Sequence, residues 1–138
     1  RIAIEAAKEA TILDVACTFT FSKNQDGAYR TMMGTDVGAY LEMAKSAGAD
    51  IIGANCGNGT AGMIEIVREI RLIDPNIPVL VHANAGLPVY QDGKTVFPES
   101  AGEMASQIEE LVAAGANIVG GCCGTTPEHI RQIVQVIN

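Results

Sequence analysis

Cys56 in the segment GANCGNG, and the adjacent pair Cys122 and Cys123 in GGCCGTTPEH, are the residues of this chain best suited to do chemistry. Each segment follows an apolar, strand-like run and precedes a helix-like one, so repeated strand–helix units would bring the three sulfurs to one rim. Three thiolates that leave one position open are the ligand set of a catalytic zinc, because structural zinc sites fill all four places with protein groups. A thiol that takes the open place loses its proton at neutral pH and becomes a nucleophile. The pattern therefore points to Zn2+ and to chemistry on a sulfur.

Adjacent residues of a regular strand point to opposite faces, so Cys122 and Cys123 share one metal only if the chain bends there. Gly120, Gly121 and Gly124 make that bend easy. Two small buried hydrophobes, or a vicinal disulfide, are the alternatives. Cys17 also lies near a strand end; as a fourth ligand it would close the site against substrate, and as a lone cysteine in an apolar strand it reads as packing. Asn55, Gly57, Asn58 and Gly59 form a polar loop at a helix start, suited either to holding a carboxylate on backbone N–H groups or simply to a tight turn. His82 falls on a strand near the same rim, as a group that orders a ligand or as a satisfied rim histidine. Thr125 and Thr126 are placed to orient a metal-bound sulfur, although Thr126 before Pro127 already reads as a helix cap.

These residues need a scaffold, and the chain alternates short β-branched runs with amphipathic stretches in four similar units. Residues 2–10 read as the tail of an earlier helix and residues 12–21 (ILDVACTFTF) as the first strand and its C-terminal extension. After a polar stretch over 22–34, Thr35 is placed to cap a helix over 36–47 that puts Val37, Tyr40, Leu41 and Ala44 on one face, with Gly48 at its end. Residues 50–55 form a strand and 61–72 a helix; 78–83 form the next strand, followed by a long loop over 84–98 with an Asp-Gly turn signal. A helix over 100–114, a strand over 117–121 and a last helix from Thr126 through Ile137 complete the pattern. Strands separated by helices run parallel, so all their C-terminal ends share one face. In (βα)8 barrels that face carries the active site, and four βα units are half of such a barrel. A flat doubly wound sheet is the rival architecture. Half a barrel has open edges and an apolar inner face, so a missing N-terminal half, or a second copy, is expected to complete it.

With 138 residues and 48% hydrophobic content the chain is large enough for one core. It opens at Arg1 inside a helix-like stretch, as expected of a single partial domain spanning 1–138. Nine basic against sixteen acidic residues, a net charge of −7, disfavour nucleic acid and anionic membrane surfaces. No apolar run approaches the eighteen or so residues of a membrane span. Four cysteines without the spacing of a disulfide scaffold are expected in a reducing compartment, the cytoplasm.

GANCGNG and GGCCGTTPEHI together, with HANAGLPVYQDGKTVFPES between them, resemble the homocysteine S-methyltransferase family, most closely its cobalamin-dependent branch. The resemblance covers nearly the whole chain, with its motifs in order. It implies the C-terminal half of a TIM barrel, zinc held by Cys56, Cys122 and Cys123, and homocysteine sulfur as the fourth ligand during methyl transfer to give methionine. It implies Asn84 as an exchangeable ligand when substrate is absent, although Asn84 also reads as a turn residue beside Gly86. Asn55, Gly57 and Thr125 are the residues expected to meet substrate. The residues that grip the substrate's amino group in the family lie largely outside these positions, so this stretch alone is expected to be inactive. No Asp-x-His-x-x-Gly signature is present, so methylcobalamin, if it is the donor, is expected on another domain or on a corrinoid protein. The zinc motifs do not separate corrinoid from betaine or S-methylmethionine donors. A non-catalytic half-barrel and a thiol-redox protein that uses the Cys122–Cys123 pair are the two other classes of function the residues allow.

Overall fold

The structure, a computed structural model, describes residues 1–138. Its centre is a sheet of four parallel strands: β1 (Ala16–Phe19), β4 (Ile51–Asn55), β5 (Val79–Ala83) and β8 (Ile118–Gly121), side by side in that order. Two antiparallel hairpins, β2 (Ser22–Lys23) with β3 (Tyr29–Arg30), and β6 (Val89–Gln91) with β7 (Lys94–Val96), rise from its C-terminal rim. Helices α1 (Ile2–Ala10), α2 (Val37–Ser46), α3 (Thr60–Ile73), α4 (Ala101–Ser106), α5 (Ile108–Ala113) and α6 (Pro127–Ile137) supply the connections and a cover. A doubly wound sheet reverses its strand order at a switch point. Here spatial order follows chain order throughout, so every right-handed crossover leads the same way and the helices gather on one face.

That face is the core. Ile52, Ala54, Val79, Val81 and Ala83 alternate toward the helices and are buried, against Val37, Tyr40, Leu41 and Ala44 of α2 and Met63, Ile66, Val67 and Ile70 of α3. The opposite face is uncovered: Ile118 keeps 44% of its surface exposed, and Leu80, its register partner on β5, is only partly buried. In register beyond them, toward the strand ends, lie Asn55, His82 and Gly120. No helix is long and apolar enough to cross a membrane.

Local chemistry moves several boundaries. Asp36, and not Thr35, caps α2, its Oδ1 accepting the Ala39 N–H at 2.8 Å. Thr35 is tied back to Thr31, whose hydroxyl accepts its N–H at 3.1 Å, so Asp36 is the first residue free to turn into the helix. The single helix expected over 100–114 breaks at Gln107, whose N–H reaches back three residues to Met104 while its side-chain amide donates to Glu99 at 2.8 Å. The buried stripe of Met104, Ala105, Ile108 and Leu111 continues across the break.

At the far end of the sheet, Asp74 accepts the N–H groups of Asn76 and Ile77 at 2.9 and 3.1 Å and pairs with Lys45. Lys45 first, then those N–H groups, hold its carboxyl down to about 2. A depressed carboxyl stabilises the fold above the unfolded carboxylate pKa of about 3.9, and that stability fades as pH falls through the folded value. Asp74→Asn is therefore expected to lower the melting temperature at pH 7, and the gap to wild type should close between about pH 4 and pH 2. A gap that persists unchanged at pH 2 would refute this account.

Candidate metal centre

Cys56 follows β4 directly and sits in the left-handed region at φ 57, a conformation uncommon for a residue with a Cβ. Two backbone bonds hold it there: its N–H donates to His82 at 3.0 Å, and its carbonyl accepts from Asn58 N–H at 2.7 Å. The turn carries its sulfur off the strand axis.

Cys122 extends the β5–β8 ladder by one bond, its N–H donating to Ala83 at 2.7 Å, and the chain then turns. Thr125 donates both its N–H, at 3.2 Å, and its hydroxyl, at 2.7 Å, to the Cys122 carbonyl, while Gly124 at φ 80 takes the third place of the turn. This is the bend that the adjacent cysteines required, and a left-handed third position suits glycine. A side chain at Gly124 would also collide with Phe97, whose Cβ lies 2.3 Å from where the new Cβ would sit, so the residue after β7 lies over the turn.

The sulfurs converge. Cys56 Sγ lies 3.4 Å from Cys123 Sγ, Cys122 Sγ lies 3.9 Å from Cys123 Sγ, and all three fall within 4.8 Å of one another. Four thiolate-type ligands at about 2.3 Å around a tetrahedral zinc stand about 3.8 Å apart, so the trio fits three corners of that figure. No carboxylate or imidazole joins the group. Cys123 is exposed, and Cys56 and Cys122 are partly buried, so the cluster opens to solvent on one side. Cys17 stands apart: it pairs with Ile52 in register and packs against the helix-side core, where burial raises its thiol.

Proton sharing within the trio is uneven. Burial opposes ionisation of Cys56, but hydrogen bonds from the Cys123 and Cys122 thiols, the Gly57 N–H and the Asn84 side chain outweigh it and lower the Cys56 thiol. Donation to Cys56, then to Cys122, raises the Cys123 thiol in turn. Once Cys56 has ionised, Cys123 holds its proton more firmly, so uptake of a cation would release it.

Asn84 is buried beneath this group. Its Oδ1 accepts the Cys123 N–H at 3.0 Å, and its own N–H donates to the Asn58 carbonyl at 3.0 Å. Asn55 reaches only Thr20, at 3.4 Å. Thr126 is confirmed as the α6 cap: its N–H and hydroxyl meet His129 Nδ1 at 3.2 and 2.9 Å, and His129 Nε2 meets the Glu99 carbonyl at 3.1 Å. His129 thus fastens the end of the 84–98 loop to the helix that follows the cysteine pair. Neither that bond nor the seat of Phe97 leaves a mark in the local sequence pattern.

Known proteins resemble the chain along almost its whole length. The family model described as Homocysteine S-methyltransferase matches residues 1–137. Methionine synthases of Mycobacterium leprae (strain TN) and Mycobacterium tuberculosis (strain ATCC 25618 / H37Rv) are each 39% identical over 107 residues, 77% of this chain. The chain spans only 9% of their length. Among solved structures, the apo form of the homocysteine methyltransferase MmuM from Escherichia coli aligns with a TM-score of 0.64 at 18% identity, over 96% of this chain and 53% of that one. Its oxidized form aligns at 0.58 and 21%, over 76% and 31%. Those likenesses show the fold, four consecutive βα units that make the C-terminal half of a (βα)8 barrel. With the family model matched over 137 residues, the chain belongs to the homocysteine S-methyltransferase family.

Proposed function

We propose that residues 1–138 are a single partial domain, the thiol-bearing half of a barrel that transfers a methyl group to homocysteine and yields methionine. The observation that supports this most is the convergence of three sulfurs, within 4.8 Å, at the rim where βα-barrels keep their chemistry. Cys56, Cys122 and Cys123 would hold Zn2+. Zinc, when bound, lowers the pKa of a thiol that coordinates it, which makes homocysteine sulfur nucleophilic at neutral pH.

The chain's own groups have separable tasks. Cys56 and Cys123 share protons until a cation displaces them. Asn84 keeps one oxygen lone pair beyond that given to Cys123 N–H, which leaves it able to serve as an exchangeable ligand. Of the three residues expected to meet substrate, Gly57 turns its N–H to the Cys56 sulfur and Thr125 spends its hydroxyl on Cys122. Asn55 therefore has the most freedom to bind homocysteine's polar end. The open inner face would be closed by a complementary half-barrel, from the same polypeptide or from a second copy, and methylcobalamin on another domain or protein is the favoured donor.

The test uses the full-length polypeptide that contains these residues. It is expected to hold one zinc per chain, to release about one proton on binding homocysteine, and to form methionine from methylcobalamin in preference to betaine or S-methylmethionine. Zinc-loaded protein that does not bind homocysteine would overturn the reading.

A further inference from the structure

The two turns that carry the three sulfurs are joined by one run of hydrogen bonds, and it passes through Asn58, which is not one of the proposed ligands. Asn58 is buried, and its Nδ2 donates to the Phe21 carbonyl, just beyond β1, at 2.8 Å. Its N–H donates to the Cys56 carbonyl at 2.7 Å, and its own carbonyl accepts Asn84 N–H at 3.0 Å. Asn84 Oδ1 in turn accepts Cys123 N–H at 3.0 Å, and the Cys123 carbonyl accepts Ala85 N–H at 2.9 Å. The run therefore starts just beyond β1, a strand that bears none of the three sulfurs, and ends on the cysteine pair.

We propose that Asn58 is a positioning residue for the cysteine cluster: its side chain anchors the Cys56 turn to the end of β1, and its backbone passes that register through Asn84 to Cys123. This rests on the metal-binding reading above and goes beyond it. Cys56 and Gly57 are consecutive left-handed residues, at φ 57 and 70, and the first has a Cβ. A turn of that kind relaxes toward extended backbone unless its neighbours hold it. The Asn58 amide ties this turn to the segment just beyond β1 by a buried 2.8 Å bond, where the neighbouring Asn55 amide reaches Thr20 only at 3.4 Å and in the open, and the seat is tight: a Cβ at Gly62 would lie 2.8 Å from Asn58 Cβ. Without the anchor, the Cys56 sulfur is free to leave the 3.4 Å contact with Cys123.

The experiment compares wild type, Asn58→Ala and Asn58→Ser in the full-length polypeptide, each confirmed as folded by its thermal transition. Zinc affinity is read by competition with a chromophoric chelator, and the ligand set by the thiolate-to-metal charge-transfer band of the Co(II) form. Asn58→Ala is expected to weaken zinc at least tenfold and to lower the Co(II) band by about one thiolate in three. Asn58→Ser keeps a donor of shorter reach, is expected to fall between, and gives a folded comparison if the alanine variant does not fold. A merely structural residue would shift the melting temperature and leave the Co(II) band intact. Wild-type zinc affinity and an unchanged band in a folded variant would overturn the proposal.

A metal-free arm separates this claim from the zinc reading. In a Cys122→Ser background Cys56 and Cys123 are the cluster thiols left to bridge phenylarsine oxide, a reagent that needs two close thiols, and a Cys56→Ser, Cys122→Ser control sets the background from thiols elsewhere. Adding Asn58→Ala is expected to weaken that capture at least tenfold. Undiminished capture would sink the positioning role even if the protein took up no zinc at all.

Discussion

On the proposed zinc reading, Cys56→Ser is expected to abolish zinc binding while leaving the fold in place. A serine hydroxyl stays protonated at neutral pH and is not among the groups that hold zinc in proteins. The two remaining sulfurs, 3.9 Å apart and adjacent in sequence, give a two-point site that solvent reaches from Cys123. Zinc per folded chain should drop below about a tenth of wild type, and methionine formation should fall at least 100-fold, beyond the 10- to 100-fold typical of losing an outer-shell partner. The backbone bonds from Cys56 to His82 and Asn58 do not involve the sulfur, and serine meets the same left-handed backbone, so the metal-free melting temperature should move by less than about 3 °C. Cys17→Ser is the control, because Cys17 faces the helix-side core, and its zinc content should match wild type. Full zinc occupancy in Cys56→Ser would remove this residue from the ligand set and leave the cysteine pair to be explained by other chemistry.

The placement of that residue was legible because it rests on punctuation. GANCGNG and GGCC each mark where an apolar run stops and a helix begins, and parallel connectivity carries both stops to one rim without any knowledge of contacts. The hairpins were not legible in the same way. Strands of two or three residues such as β2 and β7 are too short to show an alternating pattern, although the Asp92–Gly93 signal was visible and marks the turn between β6 and β7, with φ values of 50 and 77. Thr35 looked like a cap because residue type alone does not reveal that its N–H is already committed to Thr31. Asn58 looked like loop chemistry because its partner, Phe21, lies 37 residues away and offers only a carbonyl, which every residue possesses. Where function depends on a side chain bonded to distant backbone, the sequence of the partner carries no signal.

Tyr40 is the sharpest instance, and replacing it by phenylalanine is expected to damage the fold more than any single change in the cysteine trio. Its place on the buried stripe of α2 was plain from spacing, and its ring stacks on Phe19, with centroids 4.6 Å apart, and meets Phe21 edge-on at 5.6 Å. The hydroxyl does something that spacing does not indicate. It stands between β1 and β4, donating to the Cys17 carbonyl and accepting the Gly53 N–H at 3.0 Å, so it takes the place of a ladder bond between two core strands. Gly53 fits there because a Cβ would come within 1.7 Å of the Leu80 carbonyl oxygen on the neighbouring strand. Burial keeps the phenol protonated, its pKa pushed well above the usual range, so it can donate and accept at once. Phenylalanine preserves the ring contacts and removes only the oxygen, which takes the partner from a buried N–H and from a half-buried carbonyl. A buried group left unpaired costs about 1–3 kcal/mol and a half-buried one less, so a loss of about 1–4 kcal/mol and a fall in melting temperature of roughly 5–15 °C are expected. A change under about 3 °C would mean that water or a strand shift repairs the ladder. The anchor of Asn58 at Phe21 lies only two residues beyond β1, yet the hydroxyl touches no residue of the sulfur trio. Folded Tyr40→Phe should therefore keep the zinc binding proposed for the sulfur trio, the reverse of Cys56→Ser, and the pair of variants separates what holds the sheet together from what the proposed site requires.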